Sequence, residues 1–147
     1  MKKGMKRLFI IATLVALGVF IFASVYAQIW HTANQVTIEW DAVTTNTNGT
    51  SLTTGDIVKY KVYIKNAVTG GEPIELEEVT STEYTVTLNT EGSYFLGVKA
   101  LRYNSEEEVI SESTISWSDI PEACFEGKNF GVRYFLPPSN PLGLRKK

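Results

Sequence analysis

The sequence predicts an all-β fold, a two-sheet sandwich of about seven strands. Three observations lead there. Short segments from Gln35 onward alternate apolar and polar residues, the period of a strand with one buried face. Turn-rich pieces separate them: "TTNTNGTSLTTGD", "TGGEP", "NTEG" and "YNSEEE". And between Gln35 and Asp119 no stretch of useful length carries a helical period.

The elements follow in chain order. "MKKGMKRLFIIATLVALGVFIFASVYA" has a basic start, a long apolar run and a small-residue end, the form of a signal peptide over residues 1–27. Val25-Tyr26-Ala27 satisfies the small-x-small rule, so cleavage is expected between Ala27 and Gln28. The competing reading is an uncleaved anchor, because residues 8–26 carry no charge and are long enough to span a bilayer. Under both readings the rest of the chain is exported, since the lysines before the apolar run stay inside. The expected location is therefore secreted or periplasmic, or alternatively the inner membrane through residues 8–26. A membrane partner is expected only if the leader is retained.

"VTIEW" places Val36, Ile38 and Trp40 on one face. "VKYKVYIK" places Val58, Tyr60, Val62 and Ile64 inward and Lys59, Lys61, Tyr63 and Lys65 outward. "IELEEV" offers Ile74 and Leu76 against Glu75 and Glu77. "YTVTL" offers Tyr84, Val86 and Leu88 against Thr85 and Thr87. In "LNTEGSYFLGVKA", Tyr94, Leu96, Val98 and Ala100 point one way and Phe95, Gly97 and Lys99 the other. "STISW" supplies a last strand with Ile115 and Trp117. These segments favour Val, Ile, Thr and Tyr, which suit a pleated, half-buried surface. The sandwich is expected over residues 28–118. Residues 119–147 read as a proline-rich tail, in which "FGVRYF" could form one more short strand or pack onto an aromatic face.

The Leu88-x-x-x-Gly92-x-Tyr94 spacing has a physical reading. Leu88 ends one strand in the core, Gly92 permits the bend as the chain crosses to the other sheet, and Tyr94 starts the next strand. Its ring packs inward while its hydroxyl bonds backbone in the crossing, a tyrosine corner. With Trp40 and Tyr60 before it, residues 35–118 resemble a fibronectin type III domain: a tryptophan in the second strand, a tyrosine in the third, and leucine and tyrosine at the corner followed by alternating Val and Ala. The resemblance implies an immunoglobulin-like topology and a core built around Trp40, Tyr60, Leu88, Gly92 and Tyr94. The chain departs from the family pattern at Glu91, where proline is common, in a very short first strand from "QIWHTAN", and in a long loop from about Thr44 to Gly55.

Function is less legible. Four of the fourteen basic residues, Lys2, Lys3, Lys6 and Arg7, lie in the leader, so ten remain against sixteen acidic ones and the exported part carries a net charge of −6. That disfavours nucleic acid, which needs a basic footprint. His31 is the only histidine and Cys124 the only cysteine, so no intrachain disulfide is possible and no Cys/His site can be assembled. No zinc spacing, phosphate loop or dinucleotide fingerprint occurs. No catalytic residue, metal ligand or cofactor is assigned, and no enzyme activity is expected.

Asp41, Asn46, Asn48 and Asp56 could offer oxygens to calcium, but no ligand spacing supports it. Asn104, Glu106, Glu107 and Glu108 form a candidate binding loop, with a solvated hairpin turn as the plainer reading. Exposed aromatics, Trp30, Trp117, Tyr63, Phe95 and Tyr103, could stack on a sugar or lie under the tail. The expectation is a non-catalytic exported module for binding, adhesion or spacing, with an extracellular or periplasmic protein or glycan as partner. The alternatives are a membrane-anchored accessory subunit and, further off, a small carbohydrate-active enzyme, which would need acidic residues a set distance apart in a cleft.

Overall fold

A computed structural model describes residues 27–139. The apolar run of the leader, residues 8–26, lies outside them; Ala27 and Gln28 are the first described residues, and Ala27 is exposed. Nine strands follow: β1 (Ile29–Thr32), β2 (Gln35–Glu39), β3 (Ile57–Asn66), β4 (Ile74–Val79), β5 (Glu83–Thr87), β6 (Gly92–Tyr103), β7 (Val109–Glu112), β8 (Ser116–Trp117) and β9 (Phe130–Tyr134). They form two sheets. The smaller holds only β2 and β5, antiparallel. The larger runs β1-β9-β6-β3-β4, with β7 and β8 also paired to β6.

The core lies between the sheets. Ile38 and Val86 from the smaller sheet, with Leu88 just beyond β5, meet Val62, Ile64, Leu96 and Val132 from the larger. Each is at most 8% exposed. The inward sets expected from the period-two pattern are the sets that pack here. β4 departs from it. The β3–β4 register slips between Val62 and Tyr63, so Leu76 is the extra residue of a bulge and Glu77 stands opposite buried Val62. Ile74, expected inward, is left exposed on this edge strand.

Alternation continues on the outer face of the larger sheet, where polar and aromatic groups cross-link neighbouring strands. Lys61 reaches Glu75 at 3.0 Å and Lys59 reaches Glu78 at 3.7 Å. The Tyr103 hydroxyl donates to Glu78 at 2.9 Å while Lys59 sits over its ring.

The long strand β6 is paired along its length by three successive pieces: β7 at Leu101–Tyr103, β8 at Gly97 and Val98, and β9 at Gly92–Tyr94. Twelve residues separate β8 from β9 and include two single-turn 3-10 segments, Pro121–Ala123 and Phe125–Gly127. β9 then pairs in parallel with β1, Ile29 opposite Phe130. Residues 130–134 of the segment read as tail are thus a strand of the larger sheet, and Val132 is fully buried. On the outer face the Trp30 ring lies over Gly131 and 5.5 Å from Phe95, and Arg133 covers Trp30 at 4.3 Å. Lys65 bridges Phe95 and Trp117 and pairs with Asp119 at 3.1 Å. A side chain on Gly97 or Gly131 would collide with Trp117 or Trp30, so both glycines exist to let an indole lie flat on the sheet.

Candidate functional site

The crossing from β5 to β6 is pinned at Tyr94. Its hydroxyl donates to the Thr90 carbonyl at 3.0 Å, with the Glu91 carbonyl at 3.4 Å. A Cβ on Gly92 would stand 2.9 Å from that hydroxyl oxygen, so the glycine makes room for the ring. Leu88 is 4% exposed, and its N–H donates to the Asn34 carbonyl at 2.7 Å. Trp40 and Tyr60 meet edge to face with centroids 5.4 Å apart. These five residues are structural. They hold the scaffold on which the loops sit.

At the opposite end of β6 the scaffold carries the long loop 40–56 and the turn 104–108. The loop is not slack. The Tyr60 hydroxyl accepts from the Val43 N–H at 2.9 Å. A small turn closes on itself through Asn46 N–H to Thr50 O at 2.7 Å and the bridge between Thr45 and Ser51. Arg102 of β6 spreads over the loop. Its guanidinium donates to Asp56 at 2.5 and 2.7 Å, to Asn46 at 3.2 Å and to Thr53 at 3.0 Å. The Asp56 side chain is 9% exposed, so this pair is the most buried charge contact of the described residues. Nothing in the sequence marked Arg102, because a lone arginine in a strand looks like any solvated cation until the loop is folded over it.

Three of the four residues considered for calcium are engaged here: Asp56 with Arg102 and the Thr53 N–H, Asn46 with Arg102, and Asn48 with Thr50, while Asp41 is exposed. Among the described residues no group of three or more His, Cys, Asp or Glu is placed to hold a metal ion. His31 is exposed and meets the edge of Phe130. Cys124 is half-buried with its thiol 3.5 Å from the Ser118 carbonyl, and burial together with Asp119 pushes that thiol up from its usual range, away from the reactive thiolate.

The turn 104–108 is organised by Asn104. Its side-chain oxygen accepts from the N–H groups of Glu106 and Glu108, each at 2.9 Å. Glu107 takes a left-handed conformation at φ 61°. All three carboxylates stay exposed and pair with no cation among the described residues.

Between loop 40–56 and β7 a cleft of about 660 Å³ opens into the sandwich. Its floor is the inner face of the larger sheet, Val98 and Ala100 of β6 and Val58 of β3. Trp40 and Asp41 form one wall, Ser111 and Ser116 the other. The cleft exists because the smaller sheet stops at β2, while the larger extends past β6 through β7 and β8. Its size and mixed lining suit a bound segment or small ligand. The Trp40 indole N–H is buried without an acceptor. Among the described residues no helix is long and apolar enough to cross a membrane. No family model matches the chain, and no curated protein or solved structure matches it.

Proposed function

We propose that this protein is an exported, non-catalytic binding module of the fibronectin type III kind, and that it recognises its partner with the loop end of the sandwich. One observation carries the reading: the fork of Arg102 onto Asp56, Asn46 and Thr53 holds a long loop in one shape beside an open cleft. A loop held in one shape loses less entropy on binding than a slack one. The family assignment draws support from β2 and β5 standing against β3, β4 and β6, from the crossing pinned by Tyr94, and from Trp40 packed on Tyr60. The partner is an extracellular or periplasmic protein or glycan. The leader is removed between Ala27 and Gln28, which leaves Ile29 to open β1 one residue after the mature terminus.

The test is a screen of the purified exported protein against glycan and peptide arrays, repeated with Arg102→Met. A ligand whose binding drops at least about tenfold in a variant that stays folded supports the reading. A ligand indifferent to Arg102, or turnover of any glycoside, overturns it.

A further inference from the structure

We propose that the free edge of β2 and the cleft beside it form a groove that captures an extended peptide as an added strand, one with apolar residues at alternate positions and a net positive charge. This rests on the binding-module reading and names the partner class for its cleft. The edge is defined by two hydrogen bonds. Asn34 accepts from the Leu88 N–H and the Trp40 N–H donates to Thr82, so the even-numbered residues of β2 turn their backbone groups to β5. Gln35, Thr37 and Glu39 therefore direct their N–H and C=O groups the other way. No strand pairs there among the described residues, and all three residues are exposed. Such an edge is a template for another strand.

The groove selects what can sit on the edge. Beyond β2 the larger sheet overhangs through β7 and β8, and its inner face there carries small side chains, Ala100, Ser111 and Ser116. A second copy approaching through its own β2 would bring its own overhang into the same space. A single extended segment meets no such obstruction. It would lay alternate side chains onto Val98 and Ala100 beside Trp40. Charge sets the rest of its chemistry. Asp41 lines the cleft and Glu39 is the last residue of the edge strand beside it; both are exposed and neither forms an ion pair among the described residues. Both favour a cationic segment.

The experiment titrates the purified exported protein with the synthetic peptide acetyl-Lys-Val-Thr-Val-Thr-Val-Lys-amide, read by tryptophan fluorescence and calorimetry. Saturable binding is expected. Methylating the peptide's amide nitrogens on the edge-facing residues leaves every side chain in place and should weaken binding at least about tenfold. Thr37→Pro, which deletes an outward N–H and spares the backbone bonds to β5 while losing one exposed hydroxyl bond to Thr85, should do the same; Thr37→Val, which loses only that hydroxyl, should bind as the parent does. Replacing the two peptide lysines by glutamates should weaken it further. No binding up to about 1 mM, or equal affinity for the methylated peptide, overturns strand capture. A screened ligand that depends on Arg102 but not on Thr37 overturns it too, while leaving the binding-module reading in place.

Discussion

Tyr94 shows how one side chain can fix a crossing between sheets. Its hydroxyl bond to Thr90 is a single neutral hydrogen bond, so Tyr94→Phe should cost about 1 kcal/mol in chemical denaturation. Gly92→Ala should cost more, because the new methyl meets the ring and displaces it. Leu96 is 2% exposed in the core, and Leu96→Ala should lose about 2–5 kcal/mol. Titration belongs to this scale as well. Tyr103 is held above its ordinary value of 10.0, first by burial and then by its bond to Glu78. Tyr63 is raised by burial and the Glu75 charge, and Lys61 is raised above 10.5 by its bond to Glu75, against an opposing effect of burial. In all three the folded value exceeds the unfolded one, so the native state binds more protons in alkaline solution. Their contribution is complete below about pH 10 and is lost as pH rises through the folded values. Thermal unfolding should give a Tm that falls as the pH rises beyond that point. Tyr103→Phe should fall less steeply; an identical slope would remove Tyr103 from the account.

β9 is the element on which the fold turns. It buries Val132 in the core, pairs with the start of β6 and offers its other side to β1. A chain ending at Ser118 should therefore fail to fold cooperatively, losing Val132 and leaving β1 without a partner; a normal, sharp unfolding transition for that truncation would show β9 to be dispensable. Pattern alone could raise "FGVRYF" as a strand but could not assign it a neighbour, since its nearest pairing in sequence, with β6, spans about forty residues. β4 failed in the opposite sense. Its sequence alternates well enough to look regular, but the bulge at Leu76 depends on the register of β3, and Ile74, though opposite buried Ile64, is exposed where this edge strand begins. Edge strands tolerate this because one side has no ladder to keep in step.

For the molecule as a whole, the clamp at Arg102 joins stability to recognition. Arg102→Met leaves the Asp56 carboxylate largely buried without its cation, and the cost should be about 3 kcal/mol. Limited proteolysis should then cut within loop 40–56 before it cuts elsewhere. Cutting at the same rate and the same sites as in the parent would show that the loop holds its shape without the arginine. Intact mass of the native protein in each cell fraction places the module: a soluble chain beginning at Gln28 means a released domain, and a full-length chain in the membrane fraction means one displayed on an anchor.

The strands and their inward faces were legible because a buried face imposes a period of two on the residues themselves, as at Val58, Tyr60, Val62 and Ile64. The corner was legible because Leu88, Gly92 and Tyr94 lie within seven positions and act on one another locally. The candidate site was legible only in its outline. The loop glutamates could be named from sequence, but the fork of Arg102 onto residues 46–56 positions away, the free edge of β2 and the cleft beneath Trp40 could not. Each depends on where distant segments pack, and above all on β1 pairing with β9 and not with β2. A period records which way a side chain points. It carries no information about which strand lies beside it, and an unfilled edge is a property of neighbours that only the tertiary structure decides.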